Sequence, residues 1–115
     1  MSTQEPESAL DRELALSRVG GDLELLREIA ALFLEECPGA LLDLQQAVAS
    51  GEAVNLEHAA HSLKGSVANF GASAAVAAAF RLEQMGRGGQ LAEAPEALRT
   101  LEQALSVVCA ELSVL

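Results

Sequence analysis

The sequence predicts an all-α protein, an antiparallel four-helix bundle with a short additional N-terminal helix. Three observations carry that expectation. Apolar residues recur at three- and four-residue steps along most of the chain, and the period-two alternation of a half-buried strand occurs nowhere. Glycine and proline punctuate the pattern, leaving connections short enough to make successive helices antiparallel neighbours. Half of the 115 residues are hydrophobic, mostly Ala, Leu and Val, which is enough for one packed core and too little for two.

Residues 1–8 are polar, include Pro6, and are expected to form a disordered tail ahead of a single domain over residues 9–115. Leu10, Leu14 and Val19 place a short first helix over residues 9–19, stopped by Gly20 and Gly21. Asp22 suits the N-cap of the second helix, because its side chain can accept from a free backbone N–H of the first turn. That helix carries Leu26, Ile29, Phe33, Leu34 and Cys37, then Leu41, Leu44 and Val48, and ends at Ser50 and Gly51. Pro38 falls inside it, where the missing N–H and the clash with the preceding turn predict a kink or a break.

The third helix begins near Ala53 and runs to about Asn69, with Gly71 as its stop and Leu56, Ala60, Leu63, Val67 and Phe70 as its apolar stripe. The fourth, alanine-rich, spans about 73–85 and ends in the glycines of "GRGG". The fifth spans about 93–112 with Leu98, Leu101, Leu105, Val108 and Leu112 on its core face. Pro95 fits its first turn, where a missing N–H costs nothing. Phe33, Phe70 and Phe80, the only aromatic residues, match these stripes or their flanks and are expected in the core.

Composition excludes several functions. A net charge of −10 with so few aromatics leaves neither the cationic surface nor the stacking platforms that nucleic acid requires. No apolar run reaches the roughly 18 residues of a membrane span, and residues 1–8 lack the basic and apolar regions of a signal peptide. Cys37 and Cys109 are far apart in sequence and each sits in an apolar pattern, so both are expected as reduced, buried residues of a cytoplasmic protein. His58 and His61 are spaced three apart with Glu57 adjacent, but the chain has no further histidine to complete a metal site, and none is expected.

The segment "HAAHSLKGSVANFG", residues 58–71, concentrates unusual chemistry, for it holds both histidines, the only lysine and a mid-helix glycine. At about 100° per residue, His61 falls roughly 145° from the centre of the apolar stripe, and Lys64 about 85° from it, at the flank. Gly65 and Ala68 follow His61 on the same exposed line, so the imidazole stands over a surface cleared of side chains. A mid-helix glycine costs about 1 kcal/mol relative to alanine, and close approach of another molecule is one reason to accept it. A neutral imidazole is a nucleophile at neutral pH, and a lysine one turn away can screen the negative charge of a phosphorylated product. The residues alone leave open the plainer reading of a solvated histidine beside an ordinary lysine.

Residues 60–72, "AHSLKGSVANFGA", resemble the signature of histidine-containing phosphotransfer (HPt) domains, H-x-L-K-G-s-x-x-x-x-G. The resemblance extends to "GGDLELLREIAALFLEECPGALLDLQQAV" before the motif, proline included, and to "LEQMGRGGQL" after it, covering roughly residues 10–112. It implies a phosphorelay intermediate. His61 would be the phosphoacceptor, taking a phosphoryl group from a receiver-domain aspartyl phosphate or a sensor or hybrid kinase and passing it to another response-regulator receiver. Lys64 would steady the phosphoryl oxygens and Gly65 would admit the partner, with Ser66 beginning the small-residue surface beside it. A polar residue of the following helix would hold the other ring nitrogen, Glu83 being the candidate and Gln84 the alternative.

The resemblance implies no cofactor of its own, any Mg²⁺ belonging to the receiver, and no ATP site. The chain agrees in having no glycine-rich phosphate loop. Lys64, with Arg81 or Arg87, is expected to make the docking face locally less negative. A monomer is expected, and the two ends of the sequence favour a free-standing protein over a domain of a larger kinase. The competing reading is a helical scaffold that binds a receiver or kinase without accepting phosphate; an intact H-x-L-K-G weighs against it.

Overall fold

A computed structural model describes residues 9–115; the expected tail, residues 1–8, lies outside the described residues. Five helices follow in order: α1 (Arg12–Arg18), α2 (Leu23–Ser50), α3 (Ala53–Ala68), α4 (Ser73–Gly88) and α5 (Ala94–Leu112). Connections of two to five residues reverse the chain between α2 and α5. Each of these four helices packs on two others, α2 on α3, α3 on α4, α4 on α5 and α5 back on α2, which closes the bundle. The shorter α1 packs against α2 from outside this ring.

Local chemistry sets most of the boundaries. Asp22 caps α2 by accepting from the Leu25 N–H at 3.1 Å, and Gly51, at φ +67°, ends the helix in a left-handed turn. α1 is shorter than the sequence pattern suggests because Asp11 acts as its cap, accepting from the Leu14 N–H at 3.0 Å. The Asp11 N–H also donates to the Phe70 carbonyl at 3.0 Å, tying the start of α1 to the turn between α3 and α4. Gly71, at φ +63°, makes that approach possible, since a Cβ there would collide with Asp11.

Pro38 does not break α2, which runs for 28 residues through it. Its ring lies on an exposed side of the helix, where the Leu34 carbonyl, deprived of its usual donor, can turn to water. The fourth helix also exceeds its expected end. It continues through Gly86 to Gly88 and is closed by Gly89 at φ +69°. Gly86 is therefore an interior position and not a stop.

The core draws on every helix of the ring: Leu26 and Leu44, Leu56 and Val67, Leu82, then Leu101, Leu105 and Val108 are all almost completely buried. Phe70 is buried beside Phe33, with ring centroids 5.6 Å apart in an edge-to-face arrangement. Phe80 departs from expectation: it is 47% exposed. Cys37 and Cys109 are free thiols, distant in sequence but in contact across the α2–α5 seam with sulfurs 3.9 Å apart. Burial, with Cys109 adding to it, pushes the Cys37 thiol up to about 12, so it stays protonated. Among the described residues no helix is long and apolar enough to cross a membrane.

Candidate functional site

The site is built by two facing stripes. On α3, Glu57, His61 and Lys64 follow one another at four- and three-residue steps; on α4, Phe80, Glu83 and Arg87 do the same at three and four. The two helices form the closest pairing in the bundle. Gly86 is the reason they can. A Cβ there would lie 2.6 Å from the backbone nitrogen of Glu57 and 2.7 Å from the carbonyl oxygen of Ala53, so any side chain would force α4 away from α3.

His61 stands on the solvent side, its side chain 68% exposed, as the helical projection requires. Its Nδ1 lies 2.9 Å from Oε2 of Glu83, whose side chain is only 3% exposed. An ionised carboxylate can only accept, so Nδ1 carries the proton and donates. The lone pair is therefore on Nε2, on the far side of the ring from the α4 carboxylate. Gln84, the alternative partner, is exposed and makes no such contact.

A buried carboxylate needs compensating charge. Lys64 supplies it first, with Nζ 2.6 Å from Oε1 of Glu83. At that distance the ion pair is a charge-assisted contact, and among the described residues no other donor reaches Oε1. The Lys64 ammonium holds the Glu83 carboxyl below its ordinary range, against the upward push of burial, and His61 adds to the lowering. Arg87 approaches Oε2 with Nη2 at 3.3 Å, while its Nε donates to Oε2 of Glu57 at 2.9 Å.

Lys64 also lies over the ring of Phe80, 5.0 Å from its centroid. Phe80 and Lys64 line a mostly apolar hollow with Leu10 just before α1, Leu14 on α1, Ala68 on α3 and Val76 on α4, and with Asp11, Arg12 and Glu13 at its rim. Gly65 borders this face with nothing within 4 Å of where a Cβ would stand. Ser66 is only partly exposed and spends its hydroxyl on the Ser62 carbonyl, at 3.3 Å. Arg81 points away from the cluster to Glu93, at 3.5 Å, and His58 is exposed without joining it.

The structure thus brings together His61, Lys64, Gly65 and Glu83. It adds Glu57, Phe80 and Gly86, to which the sequence reading gave no part in the site, and places Arg87, expected only as a charge on the docking face, in contact with Glu83. Two of these left a signal. Arg87 stands four residues after Glu83, and Glu57 four before His61, the helical spacing at which side chains meet. Gly86 and Phe80 left none, since their environments depend on how α4 is rotated against α3.

The family model of the Hpt domain matches residues 28–111. Among solved structures, the chain is similar to histidine-containing phosphotransfer protein B (HptB) from Pseudomonas aeruginosa PAO1, with a TM-score of 0.85, 27% identity and 91% of each chain covered. No curated protein matches it.

Proposed function

The chain belongs to the Hpt domain family, the histidine phosphotransfer proteins of two-component signalling, and from that premise we propose that His61 is its phosphoacceptor. The observation that carries this reading is the 2.9 Å contact between His61 Nδ1 and the buried Glu83 carboxylate. It holds the ring in one tautomer and leaves a nucleophilic Nε2 on an open face.

In this reading Nε2 attacks the phosphorus of a receiver-domain aspartyl phosphate. The N–P bond forms as the acyl P–O bond breaks, and the electron pair leaves with the aspartate carboxylate. Nδ1 keeps its proton, so the positive charge that develops on the ring faces Glu83. Lys64, one turn from His61, swings from Oε1 of Glu83 toward the phosphoryl oxygens. Gly65 admits the receiver, and the hollow beside Phe80 receives its apolar surface. A Mg²⁺, if the receiver holds one, would supply neutralisation of the phosphoryl charge from the receiver's side. The reverse step onto a second receiver completes the relay, and a sensor or hybrid kinase stands upstream. The protein works as a cytoplasmic monomer with no cofactor of its own.

Prephosphorylated receiver domains mixed with wild type and with His61→Gln test the reading. Label should move to the wild type alone, in an acid-labile and alkali-stable linkage. Binding of receivers by both proteins, with transfer to neither, would overturn it in favour of a scaffold.

A further inference from the structure

Glu83 could satisfy Lys64 and His61 in more than one way. Its carboxylate is the meeting point of a cation on its own stripe, a cation across the interface and a neutral donor. Lys64 alone would draw the group toward itself, because an ammonium is a stronger partner than a neutral N–H. A second cation on Oε2 would oppose that pull and keep the oxygen at the imidazole.

Arg87 is placed to do this. Its guanidinium is a rigid fork: Nε is fixed to Oε2 of Glu57 at 2.9 Å, and Nη2 reaches Oε2 of Glu83 at 3.3 Å, the same oxygen that receives His61 Nδ1. Glu57 in turn sits where the backbones of α3 and α4 come closest, against Gly86. The arginine is thus anchored to one helix and reaches back to a carboxylate on the other. We infer that Arg87, anchored by Glu57, is a positioning residue that holds Oε2 of Glu83 on His61 Nδ1 and so maintains the tautomer with a free Nε2. The inference rests on the phosphotransfer reading only for its kinetic consequence.

The role is positional rather than a matter of fold stability. The Arg87 side chain is 58% exposed while Glu83 is 3% exposed, and Lys64 still compensates that buried carboxylate when Arg87 is removed. Removing the fork should therefore lower the melting temperature only modestly while altering the state of the imidazole.

The test is ¹⁵N NMR of the His61 ring at a pH where it is neutral, in wild type, Arg87→Gln, Glu57→Gln and Arg87→Lys, with thermal melts alongside. Wild type should show the Nδ1–H form as the main species. Arg87→Gln should move the population toward the Nε2–H form and slow phosphoryl transfer by about three- to tenfold, the loss expected of one hydrogen bond. Glu57→Gln should shift it the same way by less, and Arg87→Lys should recover part of the wild-type spectrum. Adding Glu57→Gln to Arg87→Gln should change nothing further.

An unchanged tautomer in Arg87→Gln overturns the inference, even if transfer slows, because the arginine would then act on the partner or the phosphoryl group directly. A full effect of Arg87→Gln with none from Glu57→Gln removes the anchoring half and overturns it as stated. The ring spectrum needs no receiver, so its outcome is independent of whether the wild type accepts phosphate.

Discussion

Gly65 and Gly86 lie within adjacent helices, one on each side of the site, although the sequence pattern marks Gly65 as a mid-helix position and Gly86 as a stop. Their surroundings are opposite. A Cβ at Gly65 would meet nothing within 4 Å, whereas one at Gly86 would strike the α3 backbone. The same weak helix former thus serves two purposes. At 86 it lets two helices of the protein come together, which brings Glu83 to His61; at 65 it keeps a surface clear beside that histidine. One glycine builds the site from within and the other leaves it accessible, so a single substitution should distinguish them.

Gly86→Ala is expected to have the largest effect. The obstruction is backbone on both named contacts, so α4 must move, at a cost of about 1–3 kcal/mol in stability. Transfer should fall on the order of 10–100-fold, because Glu83 and Arg87 retreat with the helix. Thermal unfolding and transfer kinetics read the two effects; a variant as stable and as active as wild type would contradict the close packing.

Gly65→Ala should separate the two properties that Gly86→Ala damages together. Stability should rise by up to about 1 kcal/mol from helix propensity, while transfer slows, and Gly65→Gln should slow it further without loss of stability. Gly39 in α2 is a control, being helical and equally open: Gly39→Ala should give the gain in stability and leave transfer alone. Equal transfer by all three would remove the access role of Gly65.

A smaller effect concerns pH. The folded Glu83 carboxyl lies below its ordinary 4.5, chiefly through Lys64. A depressed carboxyl contributes stability that is complete above its unfolded pKa and is lost as pH falls through the folded value. The stability advantage of wild type over Glu83→Gln should thus shrink as pH falls through 4.5 and below. Denaturant melts across the acid range measure this, and an advantage that grows on acidification would contradict the sign.

The bundle was legible because α2, α3 and α5 mix large apolar residues with charged ones, so their buried faces stand out at helical spacing. Asp22 and Gly51 marked the ends of α2 through local chemistry alone. α4 was harder to read. Alanine occupies positions 74, 75, 77, 78 and 79, so the apolar pattern has little contrast and does not fix the rotation of the helix. That is why Phe80 was expected inward and stands exposed, and why Glu83 and Gln84 could not be separated. The exposed direction of His61 followed from the strong stripe on α3. Its partners on α4 depended on packing at Gly86, which becomes visible only when both backbones are in place.

The central claim is that Glu83 occupies one ring nitrogen of His61 and thereby leaves the other to accept phosphate. Scalar coupling between ³¹P and ring ¹⁵N in the phosphorylated, uniformly ¹⁵N-labelled protein tests it most directly. The account predicts phosphorus bonded to Nε2 of His61, with Nδ1 still protonated. Phosphorus on Nδ1, or on His58, would contradict it.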